Sequence, residues 1–329
     1  MKKIVIDTQL SDKGEEEMIL GAIQARREHP NYKMVVVGTQ SIIEKVLEER
    51  GEKKENYEII DSPALPESIH DPMSLLRFKD RCSIFSSFES LNQDEDTVGL
   101  VTAGPTGMVF VSAIRRLGLV EGVMHPALAG LLYDYKFNRI CLVDCGANVD
   151  ATSEKLVQFA QLGSALMSAY LNKDNPRVGL LNVGTEDTKG DKLRKETFEL
   201  LKNSDLNFIG NIEGCDPFLG KCDVIVADGF SGNVLLKNAE AVGMICRGIA
   251  KMNDVSDPNV KKISDTIYSL FGYTELGGAI ILGTKKIVYK AHGAANAKSV
   301  ASIVSDIVAL SENHFIEKIS KGIQGQNQE

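Results

Sequence analysis

Four times along the chain a short apolar run leads directly into a Gly-containing turn, and this recurrence most limits what the chain can fold into. Leu100-Val101 leads into Thr102-Ala103-Gly104-Pro105-Thr106-Gly107, and Cys141-Leu142-Val143 into Asp144-Cys145-Gly146-Ala147-Asn148. Leu180-Leu181-Asn182 leads into Val183-Gly184-Thr185-Glu186, and Val224-Ile225-Val226 into Ala227-Asp228-Gly229-Phe230-Ser231-Gly232-Asn233. Apolar runs that alternate with stretches of helical period are the pattern of parallel strands covered by helices on both faces. The expected fold class is α/β, a three-layer α/β/α arrangement with a mostly parallel sheet.

Strands are expected at 3–6, 33–37, 58–60, 97–101, 139–143, 177–182, 207–209, 224–227 and 286–288. Helices are expected at 15–28, 41–50, 106–117, 153–171, 189–203, 232–251 and 297–318. No repeat, low-complexity tract or Pro/Gly-rich linker cuts the chain, so 1–321 is expected to form a single α/β catalytic unit, with two lobes around a cleft as the alternative layout. The polar tail 322–329 is expected to fray. Residues 253–258 are turn-like, and Ile263, Ile267, Leu270 and Phe271 then make a short apolar helix face beside Tyr268 and Tyr273. Such a face suits a core or subunit interface, or alternatively a tip that touches a membrane or a partner.

Of the 329 residues, 45 are acidic and 37 basic, a formal charge of −8 that disfavours nucleic acid as a general partner. The start of the chain turns polar at Asp7, too early for a secretory signal, and no apolar run reaches spanning length, so a cytoplasmic protein is expected. Cys82, Cys141, Cys145, Cys215, Cys222 and Cys246 are scattered and read as free thiols. His29, His70, His125, His292 and His314 lie far apart, and no metal site is expected.

In a parallel sheet the carboxyl ends of the strands share one edge, where ligands bind and helix N-termini offer unpaired N–H groups. Four Gly turns there, each with Asp, Asn, Thr or Glu, predict a site for phosphate or for a phosphorylated or carboxylate ligand. Familiar alternatives are missing: no Gly-Lys-Ser/Thr follows Gly107, no Gly-x-Gly-x-x-Gly follows a strand, and there is no Gly-x-Ser-x-Gly.

The turns resemble a known family. Asp144-Cys145-Gly146-Ala147-Asn148-Val149-Asp150 with Leu156-Val157-Gln158-Phe159-Ala160, then Asn175-Pro176-Arg177-Val178-Gly179-Leu180-Leu181-Asn182-Val183-Gly184, then Asp228-Gly229-Phe230-Ser231-Gly232-Asn233-Val234 are similar to the PlsX family of phosphate acyltransferases. Ala103-Gly104-Pro105-Thr106-Gly107, Pro126-Ala127-Leu128 and Lys290-Ala291-His292-Gly293-Ala294-Ala295-Asn296 extend the resemblance over most of the chain in family order. It implies a fold like isocitrate/isopropylmalate dehydrogenase and phosphotransacetylase, a homodimer, and transfer of an acyl group from acyl carrier protein to inorganic phosphate. Acyl phosphate would feed phosphatidic acid and phospholipid synthesis, and no cofactor is implied. The chain departs from the family at Asp7-Thr8-Gln9-Leu10-Ser11-Asp12, where two glycines are replaced, at Arg77-Phe78-Lys79-Asp80-Arg81-Cys82-Ser83-Ile84, at Pro105 in place of Asn, and at His125 in place of Arg. Pro105 has no N–H to offer a phosphate.

Attack of phosphate on a thioester needs an anion cradle and oxyanion donors but no covalent nucleophile. Gly104, Thr106 and Gly107, with Gly184 and Thr185, are the expected donors, and Gly146, Asp228, Gly232 and Gly293 complete the expected phosphate and substrate contacts. Asn148 and Asn233 are expected to orient substrate oxygens, His292 to act as a general acid or phosphate donor, and Lys237 to supply positive charge. An acidic carrier protein needs a local basic patch, with three candidates: Arg77, Lys79 and Arg81; Arg115 with Arg116; or Lys261 with Lys262. Three readings compete with acyl-carrier-protein transfer: a short-chain acyl-coenzyme A transferase of phosphotransacetylase type, a non-catalytic relative that binds carrier protein or acyl phosphate, and, as the least favoured, a decarboxylating dehydrogenase. Peripheral contact at the inner face of the membrane stays open.

Overall fold

The computed structural model describes residues 1–63, 82–172, 174–252, 257–271 and 277–324. In chain order the elements are β1 (Lys3–Asp7), α1 (Glu15–Glu28), β2 (Lys33–Gly38), α2 (Gln40–Glu49), β3 (Tyr57–Asp61), α3 (Ser83–Gln93), β4 (Thr97–Thr102), α4 (Thr106–Leu117), β5 (Ala127–Tyr133) and β6 (Arg139–Val143). They continue with α5 (Ser153–Leu171), β7 (Val178–Leu181), α6 (Lys192–Lys202), β8 (Phe208–Ile212), β9 (Val224–Val226), α7 (Gly229–Met252), α8 (Pro258–Phe271), β10 (Gly278–Leu282), β11 (Ile287–Ala291), α9 (Ala297–Glu312) and α10 (Phe315–Gln324). Two compact units divide the chain, one of Met1–Leu119 with Gly277–Ser311 and the other of Val120–Leu276 with Glu312–Glu329.

In the first unit the strand order is β3-β2-β1-β4-β11-β10, parallel except that β10 runs antiparallel to β11. Val5 pairs with Val35 on one side and Leu100 on the other, and Leu100 pairs in turn with Val288. Ile4, Val5 and Ile6 are all fully buried. Successive strand residues point to opposite faces, so this run means that both faces of β1 are covered, as the β-branched composition predicts. In the second unit the order is β5-β6-β9-β7-β8, with β5 antiparallel to β6 and the rest parallel. Leu142, Ile225 and Leu180 sit in its core. The α/β class with a mostly parallel sheet is what the sequence pattern predicts.

The differences lie where tertiary pairing decides. β5 and β10 are absent from the predicted strands because Ala-Leu-Ala-Gly-Leu-Leu-Tyr and Gly-Ala-Ile-Ile-Leu begin without β-branched residues; each is a strand by virtue of its antiparallel neighbour. α3 was not predicted, although Ile84, Phe85, Phe88 and Leu91 form its buried face. The single helix expected at 297–318 is two helices, with His314 at φ +55 in the break. Residues 189–191 precede α6 because Asp191 caps it, its side chain accepting from the Arg194 N–H. Among the described residues no helix is long and apolar enough to cross a membrane.

Candidate active site

In the second unit β6, β9 and β7 are parallel neighbours, so the turns that follow them leave the same edge. Asp144 organises the first. Fully buried, its carboxylate accepts from the N–H groups of Leu128 (3.1 Å), Gly146 (3.3 Å), Ala147 (3.2 Å) and Asn148 (2.5 Å) and from Asn148 Nδ2 (2.9 Å). Four backbone donors on one carboxylate curl the chain into a tight loop. Gly146 has φ +140, a conformation that suits glycine. Cys145 is buried, and burial first, then the Asp144 carboxylate, pushes its thiol up; it offers no thiolate nucleophile.

The turn after β9 packs on that loop. The Gly229 N–H donates to the Asn148 carbonyl at 2.8 Å, and a Cβ on Gly232 would occupy the space of the Asp144 carbonyl oxygen. This close approach requires glycine at 232 and sets the first turn of α7 directly beside the β6 loop. Asn233, exposed on that turn, has its side-chain oxygen 3.7 Å from the Cβ position of Gly146. Asn233 and Gly146 are thus brought together. Asn148 differs: its amide nitrogen donates to Asp144 and to the Pro126 carbonyl (3.1 Å), so its donors hold the loop. Lys237 lies a turn further along α7 and pairs with Glu240 at 2.6 Å, its charge shared with a largely buried carboxylate.

Asp228 is also engaged. Its Oδ1 accepts from the Ser231 N–H (2.9 Å), and its Oδ2 accepts from the Ser231 hydroxyl (2.8 Å) and from Arg194. Burial alone would raise its pKa, but the Ser231 amide and hydroxyl and the Arg194 charge outweigh burial and hold the carboxyl below its ordinary value. After β7, Gly184 is buried under Lys189, whose Cγ lies 3.2 Å from the Gly184 Cβ position, while Thr185 is exposed. Arg194, Lys189 and Asp144 belong to these loops and were not among the expected site residues. The signal for Arg194 was available: Asp191 three residues before it is a helix cap, so Arg194 falls in the first turn of a helix that starts at this edge.

In the first unit the carboxyl ends of β1, β4 and β11 form a second edge. Asp7 is fully buried there, and burial pushes its carboxyl up to about 6. It accepts from Thr102 Oγ1 at 2.7 Å, and Thr102 Oγ1 in turn accepts from the Gly104 N–H at 3.1 Å, which ties β1 to the Gly104 turn. Pro105 precedes α4, whose first intrahelical amide is that of Val109; the N–H groups of Thr106 and Gly107 have no earlier helical carbonyl to meet. Gly293 accepts from the Asp12 N–H at 2.8 Å, and His292 Nδ1 accepts from the Ala294 N–H at 3.1 Å, which leaves the neutral ring's proton on Nε2. Gly104, Thr106, Gly107, His292 and Gly293 therefore belong to one edge of one unit, and Asn148, Gly146, Gly184, Thr185, Asp228, Gly232, Asn233 and Lys237 to the other. Among the described residues no His, Cys, Asp and Glu cluster could hold a metal. Arg77, Lys79 and Arg81 lie outside the described residues, as do Tyr273 and 253–256.

Two structural comparisons define the class. A phosphotransacetylase from Streptococcus pyogenes superposes with a TM-score of 0.63 at 14% identity, covering 94% of each chain. A phosphotransacetylase from Staphylococcus aureus superposes at 0.61 and 13% identity, again over 94% of each chain. The fold is thus phosphotransacetylase-like. Sequence comparison is more specific: the family model described as fatty acid synthesis protein matches residues 2–318. A phosphate acyltransferase from Finegoldia magna is 34% identical over 98% of this chain and 100% of its own, and one from Clostridium acetobutylicum is 31% identical over 98% and 99%. The chain belongs to the PlsX family of phosphate acyltransferases, and is an acyltransferase.

Proposed function

We propose that the chain transfers the acyl group of acyl-[acyl carrier protein] to inorganic phosphate, releasing acyl phosphate and free carrier protein, and so feeds phosphatidic acid synthesis. One observation carries the reading: an exposed asparagine, Asn233, at the start of a helix, set against a glycine loop that a single buried carboxylate organises. A phosphate oxygen attacks the thioester carbonyl carbon, the oxyanion forms, and the C–S bond breaks as the thiolate leaves. Backbone N–H groups and the Asn233 amide stabilise the oxyanion, a role worth about two to three powers of ten in turnover per donor. No protein nucleophile takes part, in keeping with the buried Cys145 thiol. The working form is a homodimer that meets the membrane at its inner face from the cytoplasm, and it needs no cofactor.

The phosphotransacetylase-like fold supports a second reading, in which the donor is short-chain acyl-coenzyme A. Incubation with phosphate and either long-chain acyl carrier protein or acyl-coenzyme A, with hydroxylamine trapping of acyl phosphate, separates the two. Product from carrier protein is expected. Product from coenzyme A alone would favour the second reading, and product from neither would leave a binding protein.

A further inference from the structure

We propose that Arg194 is a positioning residue for acyl transfer, fastening the first turn of α7, and with it Asn233, to the loop after β7 through Asp228 and Ser231. The inference rests on the acyl-transfer reading above and adds a residue that the family resemblance does not single out.

The loop after β7 is built to present this side chain. Asn182 Nδ2 donates to the Lys189 carbonyl at 3.2 Å and folds the loop back on the strand. Gly190, at φ +94, has its Cβ position 2.7 Å from Arg194 Cβ, so a side chain at 190 would displace the arginine. Asp191 then fixes Arg194 twice: one carboxylate oxygen accepts its backbone N–H at 2.9 Å and the other its Nη1 at 3.0 Å. A second guanidinium nitrogen, Nη2, donates to Asp228 and to Ser231 Oγ (2.9 Å).

The contact lies where it controls Asn233. The Asp228 carbonyl accepts the Gly232 N–H at 2.9 Å, and the Asp228 carboxylate accepts the Ser231 N–H, so Asp228 caps the turn from which Asn233 projects. Gly232 is pressed against the Asp144 carbonyl on the far side of that turn. The turn is therefore held from the β6 loop by contact and from the β7 loop by charge. With side chains 14% and 9% exposed, Arg194 and Asp228 are screened from solvent. The charge that acts on Asp228 is that of Arg194, and Asp191 meets the same guanidinium at Nη1. Without the guanidinium, the largely buried Asp228 carboxylate would lose its counter-charge, the situation in which an ion pair broken from one side is most disruptive.

The test uses the full chain and the variants Arg194→Met, Arg194→Lys, Asp228→Asn and the double variant Arg194→Met with Asp228→Asn. Acyl phosphate formation is measured from about pH 8 down to about pH 5, because burial without the Arg194 charge moves the Asp228 carboxyl upward, toward protonation. Arg194→Met is expected to lower kcat by roughly 10- to 100-fold at the upper end of that range with little change in KM for the acyl donor, the signature of a misplaced group and not of lost binding. Its deficit relative to the unsubstituted chain should shrink as pH falls and Asp228 is neutralised. Asp228→Asn should remove that pH dependence and recover most of kcat in the Arg194→Met background, a non-additivity that a generally destabilised fold would not produce. Arg194→Lys, which keeps the charge, should lie between. A kcat for Arg194→Met equal to that of the unsubstituted chain, or equal losses in the single and double variants at every pH, overturns the proposal. Hydrogen exchange of the 231–233 amides gives a readout independent of substrate: it should accelerate by about tenfold or more in Arg194→Met. If the unsubstituted chain makes no acyl phosphate, the transfer reading falls while exchange still judges the fastening, and unchanged exchange sinks it.

Discussion

Leu10 holds a left-handed conformation, φ +62, at a position where the resembled family carries glycine, and its side chain lies against the Gly104 turn, with Cδ1 3.4 Å from the Gly104 Cβ position. A Leu there bears about 1–2 kcal/mol of backbone strain, which its half-buried side chain offsets. Leu10→Gly exchanges strain relief for lost contact and is expected to stay within about 1 kcal/mol of the unsubstituted chain, whereas Leu10→Val, branched at Cβ, should lose about 1–3 kcal/mol. Urea unfolding of the two variants checks this, and a large loss for the glycine variant alone would refute it. Asp7 makes a pH-dependent contribution. Its folded pKa of about 6 lies above the ordinary value, so between about pH 4 and pH 6 the unfolded chain releases this proton and the folded chain keeps it. The sign is destabilising: stability from this group is complete below the unfolded pKa and falls by about 3 kcal/mol as pH rises through the folded value. Asp7→Asn should therefore gain on the unsubstituted chain by about that amount between pH 4 and pH 7, whatever constant offset the lost carboxylate adds. Parallel stability curves for the two proteins would show that Asp7 is not the group.

At the level of elements, the helix N-termini that leave the strand edges differ in how tightly they are set, and two glycines report it with opposite signs. Gly232 sits in the first turn of α7 against the Asp144 carbonyl, with no room for a Cβ; Gly107 sits in the first turn of α4 with nothing within 4 Å of its Cβ position. Gly232→Ala should cost about 1–3 kcal/mol and displace Asn233, with a corresponding fall in kcat, while Gly107→Ala should stabilise by about 0.5–1 kcal/mol because alanine is the better helix former. Thermal melts with kcat for each variant decide it, and equal effects would remove the distinction. These elements also show where the sequence was legible. Continuous runs such as Ile4-Val5-Ile6 and Met34-Val35-Val36-Val37 announce themselves as strands because both faces are buried. β5 and β10 do not, since their pairing partners decide their conformation. Among site residues, the glycines and Asn233 follow from strand-to-helix spacing. Asp144, Arg194 and Lys189 do not, because what defines them is which backbone amides, carboxylates or glycines they meet across loops distant in sequence. Asp228 was legible as a candidate position but not in its contacts, which depend on a guanidinium 34 residues earlier in the chain.

For the whole molecule, a formal charge of −8 opposes approach of the acidic carrier protein of the proposed reaction, so on that reading a productive encounter runs through a local basic surface. Arg115 and Arg116 occupy the exposed end of α4, whose other end carries Thr106 and Gly107, and Arg116 stacks over the Phe85 ring at 5.5 Å. Lys261 and Lys262 are exposed on α8, in the other unit, beside the exposed apolar side chains Val260 and Ile263. The first pair is anchored to a helix that begins at a candidate phosphate turn; the second lies on an apolar surface suited to contact with a lipid or a second chain. On the acyl-carrier-protein reading proposed above, docking is expected at Arg115 and Arg116. Because Arg116 also covers Phe85, Arg115→Glu is the cleaner probe. It should raise KM for acyl-[acyl carrier protein] at low salt, by about 5- to 30-fold if the lost and reversed charge together are worth about 1–2 kcal/mol, while KM for phosphate stays unchanged. The difference should contract as ionic strength rises toward about 0.5 M and the Debye length falls below the separation of the facing charges. Lys261→Glu serves as the control and should leave both constants unaltered. A salt-independent defect in Arg115→Glu, or a larger effect from Lys261→Glu, would move the docking surface to the second unit.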